Sequence, residues 1–184
     1  MSKLKVVIIG GVAGGMSAAT RLRRLNAYAE IIVIEKSGHV SYANCGLPYY
    51  VGGVIEQESA LLLQTPASLH ARFRLDVRVA SEVISINRKK KTILVKELSS
   101  GKEYELNYDK LILSPGASPI VPPILGVERA LTLRNVEDVE RIVNQVNLKP
   151  KSAVVIGGGF IGVEIAENLI HRGDRKSTRL NSSH

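Results

Sequence analysis

Runs of consecutive apolar residues alternate along this chain with glycine-rich turns and helix-spaced segments. Residues 4–9 (LKVVII) and 30–36 (EIIVIEK) lack the alternation of a half-exposed strand. They read as strands buried on both faces of a parallel sheet. Between them, GGVAGG (10–15) predicts a turn. MSAATRLRRLNA (16–27) predicts a helix with Met16, Ala19, Leu22 and Leu25 facing inward. The segment is a βαβ unit. Strands are expected again over 75–80, 81–88 and 91–98. NRKKKTI (87–93) and SSGKEY (99–104) serve as hairpin turns, with Gly101 as the left-handed residue of the second.

YDKLILSPG (108–116) is a further apolar strand running into a turn, and SPIVPPILG (118–126) is a proline-rich connection that suggests a domain boundary. TLRNVEDVERIVNQV (132–146) reads as a helix capped by Asn135, with acidic residues in its first turns. The strand–turn–helix pattern then returns in SAVVIGGGFIGVEIAENLIHRG (152–173). One supersecondary element is repeated. The expected fold class is α/β, with a strand–turn–helix unit in tandem and boundaries near 118 and 149.

Composition narrows the partners. The formal charge is +8, but the basic residues are scattered apart from RLRR (21–24) and RKKK (88–91). Aromatic residues are 4% and do not interleave with them, which argues against nucleic acid. No apolar stretch approaches the roughly 18 residues of a membrane span. The N-terminal apolar run is too short for a signal segment. With a single cysteine, which fits a reducing compartment, a cytoplasmic location is expected. The four histidines are scattered and no zinc-type spacing occurs, so no metal is expected.

The last eleven residues, DRKSTRLNSSH (174–184), have no helical or strand period. The string is the residue-for-residue translation of a common sequencing-library adapter. The expectation is that the tail is not native and that the natural protein continues past Gly173. Without it the charge falls from +8 to +6.

The glycine-rich turns carry the first chemistry. Gly157, Gly159 and Gly162 fit G-x-G-x-x-G between a strand and a helix. The spacing gives a tight turn, close approach of a pyrophosphate to the backbone, and close packing of helix on strand. Helix N-terminal amides supply positive partial charge to the phosphates. In the first unit Gly10 and Gly15 match, but Val12 stands at the middle position, with Gly11, Ala13 and Gly14 completing the loop. Glu35 follows Gly15 by twenty residues, where an acidic side chain would hold an adenosine ribose. Two such units imply two dinucleotides, and a flavin with a nicotinamide is the economical pairing.

GGVAGGMSAATRLRR, SYANCGLPYYVGG, LLLQTP, YDKLILSPGASP, TLRNVEDVERI and GGGFIGVEIAENL together resemble the single-cysteine pyridine nucleotide–disulfide oxidoreductases. The resemblance is to the branch of coenzyme A-disulfide reductase and its NADH oxidase and persulfide reductase relatives, and it covers residues 3–173. Dithiol members of the wider superfamily carry C-x-x-x-x-C, whereas Tyr50 stands five positions after Cys45 here. No internal disulfide can form at this site. A lone thiol must pair with an incoming sulfur or be oxidised itself. Composition alone leaves open an inert, buried cysteine. Pro48 as a first helical residue would place Cys45 ahead of a helix N-terminus, which favours a thiolate. Gly46 would let the backbone approach a flat ring.

The resemblance implies an FAD-dependent enzyme that uses NAD(P)H to reduce coenzyme A disulfide, or a related disulfide or persulfide, through a mixed disulfide on Cys45. It implies coenzyme A contacts from Ser17, Arg21, Arg24, Ser41 and Asn44, although a solvated helix face would explain the arginines equally. It implies flavin contacts from Lys36, Val79, Ser114 and Gly116, although many relatives have Ala-Thr-Gly at 114–116. It implies tandem Rossmann-like dinucleotide-binding folds (FAD/NAD(P)-binding), truncated, with 1–118 as the first segment of an FAD-binding domain, 119–149 as connection and helix, and 150–173 as the start of an NAD(P)-binding domain. It also implies a homodimer in the intact protein, and that residues 1–184 alone are inactive. Two alternatives stand beside it: an NADH oxidase or peroxidase cycling Cys45 through a sulfenic acid, and a non-catalytic flavin-binding regulatory or interaction protein.

Overall fold

The structure, a computed structural model, describes residues 3–173 and the backbone of 180–181. Its elements in chain order are β1 (Lys5–Ile9), α1 (Ala13–Leu25), β2 (Glu30–Ile34), α2 (Leu47–Val51), α3 (Pro66–Phe73), β3 (Asp76–Arg78), β4 (Ser81–Asn87), β5 (Thr92–Glu97), β6 (Glu103–Asn107), β7 (Lys110–Leu113), α4 (Val136–Asn147), β8 (Val155–Ile156), α5 (Phe160–His171) and β9 (Leu180–Asn181). Single 3₁₀ turns occur at Asn44–Gly46, Glu58–Ala60 and Val127–Arg129. The chain divides into two compact units. The first comprises residues 1–42 and 62–117, the second 43–61 and 118–184. The junction at Ala117/Ser118 is the start of the proline-rich connection. The excursion 43–61 groups with the second unit.

In the first unit a parallel sheet has the order β3-β2-β1-β7, and β4, β5 and β6 form an antiparallel meander. Each face of the parallel sheet has its own core. Val6, Ile8, Ile31 and Val33 pack with Met16 and Ala19 of α1 and Leu69 of α3. Val7, Ile32 and Ile34 pack on Ile93 and Val95 of the meander. This double coverage is why β1 and β2, past their first residues Lys5 and Glu30, are apolar at every position. Gly101 takes φ +72°, as the hairpin turn requires.

Helix α1 begins at Ala13, three residues earlier than the sequence suggests, because only Gly10 of the glycine run takes a positive φ. Leu25, expected to face inward, is 69% exposed at the last turn. The RLRR segment splits by direction. Arg23 turns inward and donates to the carbonyl oxygens of Phe73 (2.8 Å), Ala27 (2.9 Å), Ala29 (2.7 Å) and Arg74 (3.0 Å). It fastens the end of α1, the entry to β2 and the end of α3 together. Burial, with Arg74 adding, lowers its pKa from the ordinary arginine value, yet arginine remains charged. Arg23→Ala leaves several carbonyls without a donor and is expected to destabilise by about 2 kcal/mol, a drop of roughly 4–8 °C in the thermal midpoint. Arg23→Lys should recover little of this, since one ammonium cannot span the fork.

In the second unit, Asn135 caps α4 by accepting from the Asp138 amide (2.9 Å), as the sequence indicates, but Thr132–Arg134 precede the helix. β8 is only two residues long and pairs in parallel with the backbone of β9. Val154 and Ile156 are 70% and 57% exposed, so this strand is not buried on both faces as β1 is. Apart from the backbone at 180–181, the adapter reading of 174–184 falls outside the described residues.

Candidate dinucleotide cradles and the Cys45 turn

The two glycine turns are built alike. Gly10 and Gly157, each following a strand, take φ +102° and +108°. Only glycine adopts this region at low cost. Gly15 and Gly162 pack so that an added Cβ would run into the carbonyl oxygen of Gly10 and Gly157 respectively. In each unit the helix therefore crosses its own turn with no room for a side chain. The first helical hydrogen bonds match as well, Met16 N to Val12 O and Val163 N to Gly159 O, both 3.0 Å. Neither α1 nor α5 has an acidic residue in its first turn. Their N-terminal amides are not offset by a protein carboxylate there, which suits an anion.

The middle position explains the departure at Val12. Val12 and Gly159 are both helix N-caps with negative φ, −105° and −73°. The backbone therefore does not require glycine at either place. At Gly159 an added Cβ would meet no atom of the described residues within 4 Å, so among them the glycine leaves open space above the turn.

Around the first turn the structure gathers several of the expected residues. The Glu35 carboxylate accepts from the Gly11 amide (2.6 Å), the Ser37 amide (2.8 Å) and the Ser37 hydroxyl (2.8 Å). A carboxylate offers about four acceptor sites, so one remains. A Cβ on Gly11 would crowd Val40 (2.7 Å) and Glu35 itself (2.9 Å). Ser114 lies against the turn: its amide donates to Ile9 O (2.7 Å), and its hydroxyl oxygen is the nearest atom to a Cβ built on Gly14 (3.4 Å). Gly116 takes φ +73°. Ala13 and Gly14 are exposed. Ser37 was not foreseen, although a serine two positions after the acidic residue is the available signal. Lys36 and Val79 are placed differently. Lys36 pairs with Glu82 (2.8 Å), and Val79 is half-buried against the core.

Ser17, Arg21 and Arg24 form one exposed stripe along α1, opposite buried Met16 and Ala19. Ser41 is held at φ +50°, its amide donating to Gly11 O (2.9 Å).

Cys45 lies in the second unit, exposed and unpaired. It sits inside the 3₁₀ turn Asn44–Gly46, with α2 following at Leu47 and Pro48 as the second helical residue. The Cys45 turn thus runs directly into α2, and Gly46 caps it without a side-chain bond. Gly46 has a steric reason to carry no side chain. Its Cβ direction faces Leu61 (2.9 Å), Ile55 (3.3 Å) and Ala43 (3.4 Å) rather than an open face. The Asn44 side-chain oxygen is buried with no hydrogen-bond partner among the described residues. Burial, with Glu58 and Glu140 adding against Arg172, raises the pKa of Tyr50. Among the described residues no cluster of ligating side chains could hold a metal ion. No helix among the described residues is long and apolar enough to cross a membrane.

A repeated strand–glycine turn–helix unit, one copy with the Glu35 carboxylate held at its turn, defines an α/β protein with the dinucleotide-binding fold of the Rossmann type. Residues 4–180 match the family described as pyridine nucleotide-disulphide oxidoreductase, and the chain belongs to that family. It is 42% identical over 170 residues to a coenzyme A disulfide reductase of Staphylococcus epidermidis, covering 92% of this chain and 39% of that protein. Its fold superposes on the reduced CoADR-RHD of Bacillus anthracis with TM-score 0.91 and 52% identity, covering 98% of this chain and 32% of that one. A NAD-dependent persulfide reductase from A. fulgidus gives TM-score 0.89 and 38% identity over 96% of this chain and 32% of that one. The chain therefore spans about two fifths of the curated relative and a third of each structure.

Proposed function

We propose that this chain is part of an FAD- and NAD(P)H-dependent reductase of coenzyme A disulfide, or of a related disulfide or persulfide, with Cys45 as the working thiol. The observation that carries the reading is the Cys45 turn: an exposed lone thiol beside a buried side-chain oxygen, that of Asn44, awaiting a donor. An unsatisfied buried acceptor costs about 1–3 kcal/mol, so an incoming hydrogen-bond donor is favoured there.

The glycine turns fit the two dinucleotides. Gly10–Gly15 with the remaining acceptor site of Glu35 suits the adenosine side of a flavin dinucleotide, and Ser114 and Gly116 complete that side. The open space above Gly159 suits a pyrophosphate. When bound, the two cofactors supply the electron pair that cleaves a disulfide held on Cys45. The chain's own residues do the rest. The Cys45 thiolate attacks one sulfur of the substrate, the substrate S–S bond breaks, and one coenzyme A thiolate leaves. The mixed disulfide so formed takes up two electrons, releasing the second coenzyme A thiolate and restoring the Cys45 thiolate. Each departing thiolate takes a proton from water. The guanidinium groups of Arg21 and Arg24 suit phosphate groups through paired N–H donors.

The test uses flavin-loaded full-length protein supplied with NAD(P)H and coenzyme A disulfide. The expected result is thiol release matched to NAD(P)H consumption, with a coenzyme A adduct on Cys45 by intact mass when NAD(P)H is withheld. Oxygen uptake without thiol release, together with a trapped sulfenic acid on Cys45, would replace this reading with the oxidase. Flavin binding with neither activity would replace it with a non-catalytic role.

A further inference from the structure

Helix α2 has only five residues, and a helix this short has no stability of its own in water. Its position is set by what it packs against, and it carries Cys45 on the turn immediately before it. In the second unit its partners are α4 and α5. Val51 and Gly52, at its C-terminal end, are buried. Arg172, the C-cap of α5, donates one guanidinium nitrogen to the Val51 carbonyl (2.6 Å) and another to the Asn147 side-chain oxygen at the end of α4 (2.6 Å). One side chain thus ties the end of α2 to the ends of both neighbouring helices. One turn earlier on α5, buried Asn168 donates to Glu164 O (2.8 Å), fixing its own rotamer, and lies where a Cβ on Gly52 would have to go. Gly52 has φ −71°, so its backbone does not call for glycine. The close approach to Asn168 does.

We infer that Arg172 and Asn168 are positioning residues for Cys45, clamping α2 against α5 so that the thiol is presented at one place. The inference rests on the reading of Cys45 as the working thiol. Attack on a disulfide requires alignment of nucleophile and leaving sulfur, and a displacement of about 1 Å can cost on the order of 100-fold in rate. Neither residue belongs to the glycine turn that opens α5.

The experiment combines hydrogen exchange by mass spectrometry with kinetics on the flavin-loaded full chain, comparing Arg172→Ala, Arg172→Lys and Gly52→Ala with the unaltered protein. Arg172→Ala is expected to speed amide exchange in the peptide spanning 43–53 by about tenfold, leaving the α5 peptide and the meander peptide 81–107 unchanged. It should lower kcat for disulfide reduction and leave KM for NAD(P)H where it was. Arg172→Lys keeps the charge but not the fork and should restore only part of the effect. Gly52→Ala should reproduce the exchange change without touching Arg172. Unchanged exchange at 43–53 would overturn the inference. So would faster exchange spread evenly over the second unit, which is the signature of general loosening. If exchange responds as expected but the unaltered protein reduces no disulfide, the clamp stands and the reductase reading fails.

Discussion

Replacing Cys45 with serine is expected to reduce disulfide turnover by at least about 10⁴-fold, the scale of losing a covalent nucleophile, with the fold unchanged. A serine hydroxyl is close in volume to the thiol but cannot form the sulfur–sulfur bond on which exchange depends. Cys45 is exposed and unpaired, and its side chain contributes to neither core, so stability should stay within about 0.5 kcal/mol. It is the only cysteine among these 184 residues, so no other thiol of this segment can substitute for it. The measurement is NAD(P)H-dependent release of coenzyme A thiol by flavin-loaded protein, with the thermal midpoint recorded alongside. Flavin reduction by NAD(P)H should persist in the variant, which separates loss of the thiol from loss of the cofactor. Retention of thiol release would move the reaction away from Cys45 altogether.

Much of the scaffold around this thiol is legible in the sequence, for identifiable reasons. β1 and β2 show as unbroken apolar runs because both their faces are buried, and the two glycine turns show because their requirements fall at fixed spacings. Asn135 could be read as a cap because capping is local, needing only its own side chain and the amide of Asp138. What escaped depends on residues far apart in the chain. Arg23 belongs to a basic run that looks uniformly solvated, and two of the carbonyls that turn it inward, those of Phe73 and Arg74, lie some fifty residues on. That Leu61 and Ile55 leave Gly46 no room for a side chain is likewise set by packing that the local sequence does not show. The bond from Arg172 to Val51 spans 121 positions, and no local pattern announces it. β8 resembles β1 in sequence but not in burial, because exposure is set by the neighbours a strand has and not by its own composition.

The glycines of the second cradle should separate into two kinds when each is changed to alanine, and the difference is the sharpest test of that cradle. In Gly162→Ala the new Cβ meets the backbone carbonyl of Gly157, an atom that cannot swing aside as a side-chain end would. The helix must lift off its own turn, at an expected cost of about 3–4 kcal/mol, read as a lower unfolding midpoint with loss of nicotinamide binding as a consequence. In Gly159→Ala the Cβ enters space that no described residue occupies within 4 Å, at a backbone φ of −73° that alanine adopts freely. Stability should change by no more than about 1 kcal/mol, the difference between glycine and alanine at an N-cap. Affinity for NAD(P)H should still fall by roughly 10- to 100-fold, because the methyl occupies the approach of the pyrophosphate to the backbone. Gly15→Ala in the first cradle should behave as Gly162→Ala does, since its Cβ meets the Gly10 carbonyl in the same way. A Gly159→Ala protein that binds NAD(P)H normally would remove the nicotinamide from this turn, and a Gly162→Ala protein of ordinary stability would contradict the crossing of α5 over Gly157.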